Sequence, residues 1–288
     1  MSEEILKHLP YEWPVDLIPE IQSFNNSSGS TLVVLDDDPT GTQTVHDIPV
    51  LADWSVESIR KEFDAGTGLF YILTNSRSLQ EYGASVLARE IGRNLLAASA
   101  LSNRKFRVIS RSDSTLRGHY PAEVNALKEG LHMKEVKQVI MPFFLEGGRI
   151  TINDIHYIRE GGQLIPVSET PFARDASFGY KNADLKLWVQ EKSKGEIESR
   201  DVCSISLNDL RDEGPLKTAE KIVNTDTTAF VVNAVTTRDA EVAALAFLLA
   251  EKQGAVLLYR TAATIVQTLA GLRPRPLLTK GELDLPPG

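Results

Sequence analysis

Apolar and polar positions fall in alternating blocks along this chain. Short runs rich in β-branched and aromatic residues, at 31–35, 69–74, 106–110, 138–144, 202–207, 229–234 and 255–259, read as buried strands. Helical patterns lie between several of them. Residues 78–100 carry Leu79, Val86, Leu87, Ile91 and Leu95 at helical spacing. Residues 121–131 begin with Pro121, which suits a first helical turn. Residues 215–223 and 238–253 are two further helical stretches. Strand, helix and strand at this spacing predict βαβ units: an α/β fold with a mostly parallel sheet flanked by helices. Residues 150–167 break the rhythm. Two short strands around Glu160-Gly161-Gly162 predict a small β-hairpin insertion that projects from the main sheet. Beyond residue 272, Arg273-Pro274-Arg275-Pro276 and Pro286-Pro287-Gly288 have linker composition. The expected organisation is one α/β domain over 1–272 and a linker over 273–288 leading toward a further domain.

Composition narrows the function classes. The chain has 288 residues, 42% hydrophobic and 24% charged, an ordinary globular balance. Its net charge of −8 argues against nucleic acid or an anionic membrane as partners recognised through bulk charge. The single cysteine, Cys203, precludes an internal disulfide and sits in an apolar run that reads as core. No apolar segment of membrane-spanning length and no signal-peptide pattern occurs, so a soluble cytoplasmic protein is expected. His46, His119, His132 and His156 lack metal-ligand spacing, and no glycine-rich phosphate loop is present. No metal site is expected from the chain itself.

The chemistry concentrates in loops that follow strands. The first is Asp36-Asp37-Asp38-Pro39-Thr40-Gly41. Three adjacent carboxylates at the end of a buried strand raise one another's pKa unless cations or donors meet them, and Pro39 and Gly41 turn the chain there. An acidic surface turn or helix cap is the simpler alternative. The second loop is Asn75-Ser76-Arg77-Ser78, where either serine could cap the following helix. The third, Ser110 to His119, brings Asp113, Ser114, Thr115, Arg117 and Gly118 together just before a helix, a composition suited to an oxyanion. A self-satisfied Asp–Arg turn is its structural alternative. The fourth loop offers Glu146-Gly147-Gly148-Arg149, as a ligand pair or a structural ion pair. Residues 168–175 form a further loop that could cross the sheet edge as a lid. In an open α/β sheet, ligands bind where strands end, so these loops are expected to line one cleft.

Asp36-x-Asp38-x-Thr40 after an apolar strand resembles the opening motif of haloacid-dehalogenase-type phosphatases, whose first Asp attacks phosphorus. Those enzymes need a late acidic pair, and the late strand ends, Val232 to Thr236 and Tyr259 to Thr261, offer none. The whole set is more similar to the four-carbon acid sugar kinase family. The resemblance rests on Asp37-Asp38-Pro39-Thr40-Gly41, Asn75-Ser76-Arg77, Asp113-Ser114-Thr115-Leu116-Arg117-Gly118, and Pro142-Phe143 with Glu146 to Arg149. It runs from about residue 30 onward. Asp36 stands where the family's common motif has an apolar residue. The resemblance implies an N-terminal domain that binds a sugar acid such as threonate or erythronate, and a C-terminal domain that supplies most ATP contacts, with Mg2+ arriving on the nucleotide. It implies Asp37 and Asp38 as catalytic residues. Thr40, Gly41, Asn75, Ser76, Arg77, Asp113, Ser114, Thr115, Arg117, Gly118, Glu146 and Arg149 would bind substrate. A sugar-acid-binding module without catalysis is a third reading. A homodimer stays open.

Overall fold

A computed structural model describes residues 3–42 and 44–274 of the chain. The strands among them are β1 (Thr31–Asp36), β2 (Val50–Leu51), β3 (Leu69–Leu73), β4 (Phe106–Arg111), β5 (Lys137–Met141), β6 (Arg149–Ile152), β7 (Ile155–Glu160), β8 (Gln163–Pro166), β9 (Val202–Ile205), β10 (Ala229–Val232) and β11 (Leu257–Thr261). Eight of them form one sheet in the order β2-β3-β1-β4-β11-β5-β10-β9. Every pairing in it is parallel. All seven expected strands are there; four end one to three residues earlier than the apolar runs, β1 and β4 end one residue later, and β11 extends through Arg260 and Thr261.

Both faces of the sheet are covered. Leu32, Val34, Tyr71, Ile109 and Tyr259 face one core, with helices α1 (Ile18–Ser28), α6 (Gly214–Asn224), α7 (Thr237–Lys252) and α8 (Ala263–Leu269). Val33, Leu35, Phe70, Val108 and Leu258 face the other, with α2 (Val56–Asp64), α3 (Glu81–Ser102), α4 (Ala122–Gly130) and α5 (Leu185–Lys192). Strands buried on both faces explain the unbroken apolar runs. Helix α7 is buried on nearly every side, so its sequence shows little polar face. No helix among the described residues is long and apolar enough to cross a membrane.

Three expectations change. The hairpin insertion is a three-stranded antiparallel sheet, β6-β7-β8. It does not project: Ile150, Ile152, Tyr157 and Leu164 are buried in the core, and Thr151 bridges Ala234 of the main sheet. The stripe expected on α3 is partly wrong. Leu79 and Val86 are exposed, while Ala84, Ala88, Ile91, Gly92, Leu95 and Ala98 form the buried face. Small residues occupy that face because α4 lies close: a Cβ added to Gly92 would sit 3.0 Å from the Gly130 backbone. Neither Ser76 nor Ser78 caps α3; they form a short 3-10 turn before Gln80, which makes no side-chain cap bond. Cys203 is half-buried against the core. Residues 275–288 of the expected linker lie outside the described residues.

The α3–α4 contact generates a paired prediction. A Cβ on Gly130 would fall 2.3 Å from the Arg89 carbonyl oxygen, whereas one on Gly83 would meet only Leu79 side-chain carbons, the nearest at 3.7 Å. Gly130→Ala should lower the melting temperature by roughly 3–8 °C through overpacking. Gly83→Ala should raise it slightly, because alanine favours the helix. Thermal melts of the two variants check this, and equal shifts would contradict the close approach.

Candidate functional site

Strand β1 is a topological switch point. The chain leaves it toward β3 on one side and then crosses to β4 on the other, so the carboxyl ends of β1 and β4 bound a crevice. The acidic loop leaves β1 there and the 110–119 loop leaves β4. Residues that the sequence spaces about 75 apart therefore touch. Ser112 Oγ donates to Asp37 Oδ2 at 2.5 Å, and Arg111 Nη1 donates to Asp36 Oδ1 at 2.9 Å.

The three carboxylates have different environments. Asp36 and Asp37 are 1% and 3% exposed. Asp36 meets one guanidinium, and burial, opposed by Arg111, pushes its carboxyl up to about 6. Asp37 is met by a fork from the end of β3. Arg77 Nη2 donates to its Oδ1 at 2.6 Å and Nε to its Oδ2 at 3.2 Å. The third Arg77 nitrogen, Nη1, donates to Asp38 Oδ2 at 3.1 Å. Asp38 is the most open of the three. Burial works against its charge, but hydrogen bonds from the Thr40 hydroxyl and amide, with Arg77, hold its carboxyl below the usual range. Two glycines make this packing possible. A Cβ on Gly41 would lie 1.9 Å from Asp36 Oδ2. Gly118, at φ +110°, would place one 2.7 Å from Ser112 Oγ and 3.1 Å from Asp37 Oδ2.

The loop after β4 is held from three directions by its carbonyls. His156 Nε2 bonds the Ser114 oxygen at 2.8 Å. The Tyr180 hydroxyl donates to Thr115 O at 2.7 Å. Arg260 Nη2 donates to Arg117 O at 2.9 Å. His156 is fully enclosed and burial lowers its pKa to about 4, so it is neutral. With Nε2 donating, its Nδ1 accepts from Thr151 Oγ1 at 2.8 Å. The small antiparallel sheet is thus the mount for this loop. Within the loop, Arg117 Nε donates to Asp113 Oδ2 at 2.7 Å. The Arg117 guanidinium also lies over the Phe172 ring at 4.9 Å and 3.7 Å from an Asp175 oxygen, so residues 170–175 do reach the site. Asp113 is held below the usual carboxylate range: its desolvation is outweighed by bonds from Arg117 and Thr115.

The structure therefore brings together Asp37, Asp38, Thr40, Gly41, Ser76, Arg77, Asp113, Thr115, Arg117 and Gly118. Ser114 contributes through its carbonyl. Asn75 donates its amide to Asp36 O at 3.3 Å and exposes its side chain. Glu146 and Arg149 do not form the structural pair considered above. Glu146 is exposed and accepts from Thr264 Oγ1 at 3.0 Å. Arg149 donates to Gly147 O, leaves its buried Nε without a partner, and feels the charges of Asp113 and Arg117. Among the described residues no three His, Cys, Asp or Glu side chains gather as a metal-ligand set.

Three residues of this neighbourhood do not stand out in the sequence. Arg260 is wholly enclosed, and desolvation lowers its pKa against the pull of Asp37 and Glu123. Glu123, in the first turn of α4, is pushed by desolvation to about 7 despite a hydrogen bond from Ser76. His156 looks like any strand histidine. A penultimate arginine in an apolar strand is the one available signal for Arg260.

Comparison with known proteins agrees with this architecture. Residues 32–269 match the family described as sugar-binding N-terminal domain. The chain belongs to that family, the N-terminal domain of the four-carbon acid sugar kinases. A Bordetella bronchiseptica protein described as a domain of unknown function, solved with bound citrate as a domain-swapped dimer, is 20% identical with a TM-score of 0.63, over 83% of this chain and 55% of that one. A Haemophilus influenzae member is 17% identical with a TM-score of 0.60, over 83% and 55%. The chain thus spans little more than half the length of these solved relatives. No curated protein matches it.

Two predictions follow from the loop's supports and its buried acids. Tyr180→Phe removes only the hydroxyl that holds Thr115 O, a buried bond whose loss costs about 1–3 kcal/mol. Amide hydrogen exchange over residues 112–120 should quicken in that variant while the rest of the sheet keeps its protection; unchanged exchange would mean the tyrosine carries no load. Asp36 and Glu123 both bind a proton more tightly folded than unfolded. Each therefore contributes stability that is full below the ordinary carboxylate range and lost as pH rises through about 6 and about 7. The melting temperature should rise by roughly 3–6 °C between pH 7.5 and 5.5, and Glu123→Gln should remove much of that rise. A flat profile in the parent protein would contradict the burial of these groups.

Proposed function

We propose that this member of the sugar-binding N-terminal domain family is the acceptor-binding part of an ATP-dependent kinase that phosphorylates a four-carbon sugar acid of the threonate or erythronate type. The observation that carries the reading is the carboxyl-edge cluster at the β1/β4 crevice. Carboxylates that accept from hydroxyls, Asp37 and Asp38, leave the end of β1, and the neighbouring loop after β4 carries a guanidinium, Arg117, already oriented by Asp113 and Phe172. A tetronic acid presents the complementary groups: one carboxylate and a row of hydroxyls. The citrate in the Bordetella relative, a hydroxy acid, is of kindred chemistry.

The residues divide the work. Asp37, tied to Arg77 and Ser112 through both oxygens, organises the crevice. Asp38 is more exposed and stays ionised at neutral pH, so it orients the attacking hydroxyl, which is most of what phosphoryl transfer asks of an acceptor site. Arg117 receives the substrate carboxylate, with Arg149 adding charge. The carboxylates of the acidic run are engaged by arginines and hydroxyls, so on this reading the acidic run is not a magnesium site. On this reading Mg2+ comes with ATP, and the nucleotide is held by a C-terminal domain. The haloacid-dehalogenase-type alternative needs Asp36 as an accessible nucleophile, and Asp36 is buried against Arg111.

Arg117→Ala should weaken binding of threonate or erythronate roughly tenfold to a hundredfold and leave the fold intact. Arg117→Lys should recover only part, because an ammonium cannot make the forked contact. Calorimetric titration beside melting curves checks this. A lowered melting temperature with unchanged affinity would mean that Arg117 merely ties Asp113 into its turn.

A further inference from the structure

Beside the Arg77–Asp37 pair, the carboxyl edge opens into a cavity of about 590 Å³. Gly118 and His119 lie on one wall, Arg77, Ser78 and Glu81 on another, and Ser177 with Glu191 and Lys192 at the end of α5, and Lys194 just past it, on a third. Gly118 lines it, whereas Arg117, whose guanidinium is assigned to the substrate carboxylate, does not.

Lys192 is the unusual member. Its Nζ reaches only the carbonyls of Phe178 and Gly179, at 3.5 and 3.4 Å, long for a charge-assisted bond. Among the described residues no carboxylate pairs with it. Its neighbour Glu191 spends its carboxylate on the amides of Lys181 and Asn182 and on the Asn182 side chain, at 2.6–3.2 Å. Arg77 is likewise committed to Asp37 and Asp38. Desolvation also lowers the Lys192 pKa, against the attraction of Glu191 and Glu81. Of the two carboxylates that line the cavity, Glu191 is spent elsewhere and Glu81 makes no ion pair with Lys192, so the half-buried, weakly partnered ammonium has capacity left for an anion. The substrate carboxylate has its own receptor. A phosphorylated product carries one further anion, the phosphate ester on the oxygen that Asp38 orients before transfer. A lysine, a point charge without a fixed fork, suits phosphoryl oxygens.

We propose that this cavity is a phosphoryl subsite that takes the phosphate of the phosphorylated sugar acid, with Lys192 as its principal cation. The inference rests on the acceptor reading above and deepens it. The test titrates the wild-type chain, Lys192→Gln and Lys192→Arg with erythronate and threonate, with their singly phosphorylated forms, and with inorganic phosphate alone, beside melting curves that confirm folding. Wild type should bind the phosphorylated acids roughly tenfold more tightly than the parent acids. Lys192→Gln should erase that preference without changing affinity for the unphosphorylated acids, and Lys192→Arg should keep most of it. An equal loss for both ligand types, or no loss, overturns the subsite. If wild type binds neither sugar acid, the acceptor reading fails instead. Inorganic phosphate then decides the subsite separately: weak binding that Lys192→Gln abolishes supports it, and binding absent or insensitive to that change overturns it.

Discussion

Three consecutive carboxylates at the end of a fully buried strand would repel one another strongly if left alone, and the structure at the carboxyl edge answers that constraint. Arg111 reaches across from β4 to Asp36, and Arg77 comes from the end of β3 to fork onto Asp37 and touch Asp38. Ser112 completes Asp37, and Gly41 and Gly118 leave out the side chains that would stand in the way. Each partner comes from a strand next to β1, so the cluster can form only in a parallel sheet with β3 and β4 on either side. Such pairs are poor evidence of net stability, because desolvating the ions offsets much of their attraction. Their value is geometric: they fix where Asp38 and Arg117 stand.

Much of this was legible in the sequence because the deciding signals are local. Apolar runs mark the strands, and polar groups crowd into the loops after them. The acidic run and the Asp-Ser-Thr-Leu-Arg-Gly string announce themselves. What escaped reading depends on register. Arg260 matters only because β11, the last strand among the described residues, enters between β4 and β5 in the middle of the sheet. His156 matters because β7 sets it under Ser114. Glu123 lies in a helix whose first turn passes beneath Ser76. Such relations join residues tens of positions apart, and no periodicity encodes them. The α3 stripe failed for a related reason. Large apolar residues were expected on its packing face, but close approach to α4 selects small ones, and Leu79 and Val86 turn outward.

The amino edge of the sheet provides a contrast. A cavity of about 630 Å³ there is lined by Phe24, Leu96, Arg107, Glu251 and Val256 among others. Its charged pair is closed on itself: Arg107 binds Glu251, whose other oxygen accepts from Tyr259 at 2.7 Å. Volume alone would favour the amino edge, where a second cavity, beside Lys137 and Thr228, reaches about 840 Å³. Chemistry decides otherwise, since the carboxyl edge gathers oriented carboxylates, hydroxyls and cations from several loops at the point where the strand order reverses.

The most direct measurement is a backbone amide NMR titration of the chain with erythronate or threonate. Shift changes confined to residues 36–42, 75–78 and 112–119 are the predicted result. Changes clustered instead around Phe24, Arg107 and Val256 at the amino edge, or none at saturating sugar acid, would contradict the assignment of the β1/β4 crevice as the acceptor site.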